Sequence, residues 1–220
     1  MLNPGFIKLI LTNILETFYM VLGSSALAYL FGLPVGVILN ATDRGGVWEK
    51  RWINRVLGFI VNFLRSVPFI ILLIWVLPVT RAIVGTTIGS TATIVPLVIS
   101  AAPFIARMVE SSLKEVDAGV IEAARAMGAK PIQIITKVLL PEAKPSLIVG
   151  SSIAITTILG YSAMAGFTGG GGLGATAINY GYYRYQDDVM LLTVILLVII
   201  VQIFQELGMY IAKSSDKRIR

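Results

Sequence analysis

The chain has 220 residues, of which 56% are hydrophobic and only 14% charged, with a mean hydropathy of +0.83. A soluble domain carries about 25% charged residues, so this apolar excess points to the bilayer as solvent and excludes an ordinary cytosolic enzyme and a disordered chain. The chain has neither Cys nor His, which removes disulfides, thiolate chemistry and the commonest metal ligand, and its formal charge of +6 fits nucleic acid or anionic lipid.

A membrane span needs roughly 20 mostly apolar residues. Charge-poor stretches predict five of them, at about 17–41, 56–79, 84–106, 146–166 and 188–211. Ala26-Leu27-Ala28 in the first resembles a signal-peptide cleavage site. Only Lys8 precedes it, however, and the apolar run continues to Leu39, so cleavage is not expected. The second span holds Arg65 in its inner third, placed to snorkel to the inner headgroups, and Pro68, which should kink it. Pro34, Pro78, Pro96 and Pro103 should add bends or span ends. Pro145 to Tyr183 carries no charge over 39 residues, too long for one helix. Gly169-Gly170-Gly171-Gly172 does not hold a helix, so the fourth span ends near Gly166 and a flexible external loop follows. Tyr180 to Tyr185, with Gln186, Asp187 and Asp188, read equally well as a contact for an external delivery protein or as an interfacial aromatic belt. Glu16 and Glu206 lie near span ends, where they should reach interfacial water.

Five spans put the termini on opposite sides, and Lys and Arg orient them. With the C-terminus cytoplasmic, the inside segments hold Arg44, Lys50, Arg51, Arg55, Arg107, Lys114, Arg125, Lys130, Lys137, Lys144, Lys213, Lys217, Arg218 and Arg220. That is 14 of the 18 cations; Lys8, Arg81 and Arg184 fall outside and Arg65 lies within a span. The N-terminus is therefore expected outside and the C-terminus inside. Cations spread over separate segments, without interleaved aromatics, leave no case for nucleic acid.

The longest inside segment is 107–145. Asp117 can cap a helix from Ala118 to Met127 that contains Glu122-Ala123-Ala124-Arg125-Ala126. Gly128 suits the left-handed position after it, and Pro131 follows shortly. About ten residues cannot span a membrane. Thin alanines allow close approach to another surface, and Glu122 and Arg125 offer charges for pairing. These residues fit a docking helix or a helix lying on the membrane.

The pattern Glu122-Ala123-Ala124, three residues, Gly128, nine residues, Val138, one residue, Leu140-Pro141 resembles the EAA loop of ABC importer membrane subunits, with Val138 where that motif has Ile. The resemblance implies an all-α, polytopic type I importer permease fold of five transmembrane helices, with 1–220 forming one transmembrane domain. It further implies that Asp117 to Gly128 docks on a cytosolic ATPase, with Arg125, Leu140 and Pro141 in the same coupling element. Arg65-Ser66-Val67-Pro68-Phe69, Ala101-Ala102-Pro103-Phe104 and Gly169 to Gly174 followed by Tyr180-Gly181-Tyr182-Tyr183-Arg184-Tyr185 are similar to the methionine-type branch. That likeness covers about Thr17 to Ile211 and implies import of D- or L-methionine across the bacterial inner membrane.

No G-x-x-x-x-G-K-[ST] occurs, so ATP hydrolysis must belong to a partner chain; no catalytic residue, metal or cofactor is expected. Five helices are too few to enclose a gated pathway, so a second copy is expected, with two ATPases and an external binding protein. The fourth span carries Ser146, Gly150, Ser151, Ser152, Ala154, Gly160, Ser162, Ala163, Ala165 and Gly166. These small residues either line the two-fold axis or serve packing within one chain. Tyr161, Ser162 and Met164 are candidates to gate the pathway, with simple packing as the alternative. A permease for another small polar substrate remains a rival. So does a secondary carrier, although the mid-membrane regions hold almost none of the ionisable residues it would need. An intramembrane hydrolase would need a catalytic constellation that is missing.

Overall fold

In a computed structural model, residues 4–215 are described, and they are helical with no strand. Lys217, Arg218 and Arg220 of the charge count lie outside them. In chain order the helices are α1 (Pro4–Thr42), α2 (Arg51–Ser66), α3 (Phe69–Trp75), α4 (Leu77–Val84), α5 (Ser90–Lys114), α6 (Ala118–Ala126), α7 (Pro131–Ile134), α8 (Leu140–Glu142), α9 (Lys144–Met164), α10 (Gly172–Thr176) and α11 (Asp187–Ser215). A π turn at Ile135–Leu139 joins α7 to α8, a 3₁₀ turn at Ala165–Thr168 follows α9, and a second π turn at Ala177–Tyr182 follows α10.

Four described helices are long and apolar enough to cross a membrane, and the bent pair α2–α3 makes a fifth. Each long helix differs at its ends from the span read in the sequence. α1 begins at Pro4 rather than near Thr17, because Lys8 and Glu16 limit an apolar stretch without interrupting a helix. α5 begins at Ser90, after positive-φ Gly85 and Gly89, and continues to Lys114. The first two turns of the expected 107–145 loop thus belong to a long helix. Pro34, Pro96 and Pro103 lie inside continuous helices.

The second predicted span is broken. α2 and α3 meet at 102°. Pro68 lacks an N–H and disfavours helical backbone at Val67, so α2 stops at Ser66. The Pro68 carbonyl then accepts from Ile71 and Leu72 N–H, starting α3. Arg65 occupies the last turn of α2, where a cation complements the terminal carbonyls.

Two compact units emerge. One comprises α1 up to Ala28, Val67–Ala101 and Ile155–Gln205. It buries Met20, Val21, Leu72, Leu97, Ile158 and Leu173 completely. The other comprises Tyr29–Ser66, Ala102–Ala154 and the chain from Glu206. Its core includes Leu39, Val61 and Ala106, with Val35 and Leu57 packed on them. In this second unit Gly32 and Gly36, four apart, bring α1 against the α5 backbone. A Cβ at Gly32 would lie 2.7 Å from the Ala102 carbonyl, and one at Gly36 2.5 Å from that of Ala106. Small residues at this spacing let helix backbones touch in lipid. On α11, Leu191, Val194, Ile195, Val198, Ile199 and Ile203 remain exposed, as a lipid-facing surface requires.

Candidate functional site

The short helix α6 is built as its caps dictate. Asp117 Oδ1 accepts from Gly119 N–H at 2.7 Å, satisfying one of the donors that a helix start leaves open. The helix ends one residue before the predicted Met127. Gly128 takes φ +77°, its N–H bonds the Arg125 carbonyl at 2.9 Å, and Ala129 N–H bonds that of Ala124 at 3.1 Å. This paired arrangement closes the helix in the manner that needs glycine.

Ala124 is buried, whereas Val120, Glu122, Ala123, Arg125 and Met127 are exposed. Val120, Ala123 and Met127 share one stripe, and Met127 is 81% exposed. Val120 and Met127 extend the alanine face beyond the residues singled out in the sequence. Their three- and four-residue spacing would have disclosed them.

Arg125 Nη2 donates to the carbonyls of Gly45, at 3.3 Å, and Gly46, at 2.9 Å. These belong to the turn after α1, where Gly45 has φ +76°. Beside them Asp43 Oδ2 lies 2.7 Å from Lys114 Nζ, at the end of α5. The turn between α1 and α2 therefore grips both sides of the α5–α6 corner. The Lys114 hydrogen bond, and to a smaller degree the Arg44 backbone N–H, hold the Asp43 carboxyl below the usual carboxylate range against the opposing effect of burial. Lys114 also pairs with Glu110 Oε1 at 2.9 Å, and Arg107 pairs with Glu110 Oε2. Arg107 reaches on to Asn62 Oδ1 at 3.1 Å and the Gly58 carbonyl at 3.2 Å. Glu110 is 5% exposed, so this buried acid is flanked by two cations, as burial of charge demands. Sequence reasoning missed the network, since only the three- and four-residue spacing of Arg107, Glu110 and Lys114 signals it.

Leu140 and Pro141 follow the π turn. Leu140 N–H bonds the Ile135 carbonyl, one residue farther back than in an α-helix. The widening accommodates Pro141, whose ring would meet a carbonyl four residues earlier. Leu140 is half-buried and Pro141 exposed.

In the other unit, Tyr161 and Met164 lie in the last turn of α9. Tyr161 is stacked on Phe69, Met164 is 46% exposed, and Ser162 is buried with its hydroxyl donating to the Leu159 carbonyl at 2.7 Å. Tyr161 and Met164 are thus available to a surface, whereas Ser162 faces inward. The glycine segment is packed rather than the flexible loop expected. Gly172 N–H donates to Glu16 Oε2 at 2.8 Å, and Leu173 N–H to Thr17 Oγ1 at 2.9 Å. Glu16 is half-buried at this contact, not at a span end in interfacial water. Gly174 touches Ala163, and Gly166 touches Gly174, so tightly that no Cβ fits. Within the second unit, Ser152 meets Gly208, and Gly150 meets the Met108 side chain. Several small residues of α9 therefore pack inside the chain, while Gly160 is exposed with open space beside it. After the second π turn, Tyr182, Tyr183 and Tyr185 are exposed and Arg184 lies 4.4 Å over the Tyr180 ring.

Comparison with known proteins bears directly on these features. Residues 32–220 match the family described as "Binding-protein-dependent transport system inner membrane component". The chain is 50% identical over 210 residues to the probable D-methionine transport system permease protein MetI of Vibrio cholerae, covering 96% of this chain and 93% of that one. It is 46% identical over 217 residues to the corresponding protein of Pasteurella multocida, covering 99% and 100%. A solved structure of inward-facing conformations of the MetNI methionine ABC transporter superposes with a TM-score of 0.96 at 47% identity, over 98% of this chain and 100% of that one.

Proposed function

The chain belongs to the family of binding-protein-dependent transport system inner membrane components, and on that premise we propose that it is the membrane-spanning subunit of an ATP-driven methionine importer. Two copies form the pathway, and α6 of each docks on a separate cytosolic ATPase. An external binding protein delivers methionine, and the paired subunits alternate between inward-facing and outward-facing states. The N-terminus lies outside and the C-terminus in the cytoplasm. Tyr161 and Met164 close the pathway in one state, with Ser162 behind them.

The observation that carries the coupling role is α6 itself. It is capped at both ends, braced by Arg125, and presents Val120, Ala123 and Met127 without a covering element in this chain. An exposed apolar stripe on a charged loop suits a cleft on a soluble partner. Methionine as substrate rests on the two permease relatives and the solved methionine transporter.

Gentle purification from native membranes, followed by native mass measurement, tests the assembly. Two copies of this chain with two copies of a soluble ATPase are expected. In proteoliposomes, uptake of D- or L-methionine should require both ATP and the binding protein. A stable oligomer that transports without any ATPase would overturn the reading in favour of a carrier. ATP-dependent uptake of a different solute alone would overturn the substrate.

A further inference from the structure

The end of α1, the following turn and the start of α2 enclose a cleft of about 300 Å3, lined by Thr42, Asp43, Arg44, Arg51, Asn54 and Arg55. Its acidic and amide groups are already engaged. Asp43 pairs with Lys114, and Asn54 Nδ2 donates to the Leu39 carbonyl at 2.7 Å. Arg51 pairs through Nε with Glu49 Oε1 at 2.7 Å, leaving its terminal nitrogens. Among the described residues, Arg44 and Arg55 have no carboxylate partner. Guanidinium groups repel one another unless an anion lies between them, and their planar forks fit phosphate oxygens.

The surroundings select the carrier of that phosphate. Trp48 and Trp52 are 51% and 69% exposed beside the cleft. Trp52, Val56, Phe59 and Phe63 are spaced four, three and four residues apart along α2, and all are exposed. They form one apolar track that leads away from the arginines. Tryptophan beside cations at the start of an apolar helix face marks the level of lipid headgroups.

We infer that this cleft is a binding site for an anionic phospholipid, with the headgroup phosphate between Arg44 and Arg55 and an acyl chain along Trp52, Val56, Phe59 and Phe63. The site is separate from α6 and independent of which solute is carried. A soluble phosphate would use the arginines but not the apolar track. An acidic surface of the ATPase would use the arginines and would be lost together with that subunit.

The test is native mass spectrometry of the purified, delipidated complex, titrated in parallel with phosphatidylglycerol, phosphatidylcholine and inorganic phosphate. Wild-type complex should retain phosphatidylglycerol at least tenfold more tightly than Arg44→Gln/Arg55→Gln complex. Phosphatidylcholine should not discriminate between them. Arg44→Lys/Arg55→Lys, which keeps charge but not the fork, should fall between. Lys130→Gln/Lys137→Gln, with equal loss of charge elsewhere, should retain the lipid, and unchanged melting temperatures establish that the variants are folded. Equal retention by wild-type and Arg→Gln complexes would overturn the site. Inorganic phosphate that displaces the lipid at equal concentration would assign it to a free anion. Loss of the ATPase from the Arg→Gln complex, with lipid retention intact, would assign it to the protein partner.

Discussion

The rings of Tyr161 and Phe69 lie nearly parallel, 7° apart, with their centroids separated by 4.5 Å. Phe69 is the first residue of α3 after the Pro68 break, and Tyr161 stands in the last turn of α9. The stack ties the break to the segment that carries Met164. An aromatic pair of this kind contributes about 0.5–1.5 kcal/mol beyond its buried area. If this segment closes the pathway, Phe69→Leu and Met164→Ala should each raise passive methionine flux in proteoliposomes without ATP, and raise ATPase activity that is not matched by transport. Unchanged flux and coupling in both variants would remove the gate and leave Tyr161 and Met164 as packing.

Arg125 should matter for coupling more than for folding. It is exposed, yet spans two carbonyls of the Gly45–Gly46 turn. Arg125→Ala frees α6 from that turn. We expect a severalfold fall in methionine transported per ATP hydrolysed, with the ATPase still bound. Arg125→Lys, which offers a single donor point instead of a fork, should recover only part of it. Measuring hydrolysis and uptake on the same proteoliposomes decides the matter.

The Asp43–Lys114 pair sets a pH expectation. Because the folded-state pKa of Asp43 is depressed, the stability it contributes is present above the unfolded carboxylate value and is lost as pH falls through the folded value. Wild-type and Asp43→Asn complexes should therefore differ by a constant amount at neutral and mildly acidic pH. The difference should shrink only below the usual carboxylate range. Melting temperatures across a pH series in detergent provide the check, and convergence already near neutrality would contradict it.

Glu16→Ala would leave the Gly172 N–H without its acceptor. An unsatisfied buried donor costs about 1–3 kcal/mol, so the variant should melt at lower temperature than Glu16→Gln, whose amide oxygen still accepts. Equal melting of the two would show that the contact contributes nothing.

The Gly32–Gly36 contact makes a geometric prediction. Gly36→Leu would drive a side chain into the Ala106 carbonyl and Val109, with no room for rotamer escape. Overpacking costs about 1–3 kcal/mol or more. Reduced yield of folded protein is expected, while Gly160→Ala, which meets open space, should be tolerated. A thermal-stability assay in detergent that ranks the two alike would refute this.

Helical class, number of spans and the caps of α6 were readable because they depend on local signals. Long apolar runs, Asp117, Gly128 and Pro131 each act within a few residues of where they stand. The 102° break was half legible: Pro68 announced a kink, but its size depends on how α3 packs. Charge counting placed the start of α1 too late, since Lys8 and Glu16 limit a hydropathy window and not a helix. The glycine segment was misread because flexibility was inferred from composition, while its order comes from Glu16 and Thr17, more than 150 residues away. Contacts of that range leave no local trace. Arg125 was picked for its charge, but the carbonyls it reaches lie in a turn 79 and 80 residues earlier.

The π turn at Ile135–Leu139 carries a consequence for helical phase. Such a turn holds one residue more than regular α geometry needs, so it works as a stored offset in the rotation of everything after it. At 3.6 residues per turn, one residue is worth about 100°. Deleting Thr136 or Lys137 would let the segment relax to an ordinary helix, bring a carbonyl back against the Pro141 ring, and turn α8 by that angle relative to α7. A single missing codon there would leave composition, hydropathy and the Glu122–Gly128 spacing untouched, yet present a different side of the chain to whatever lies beneath it.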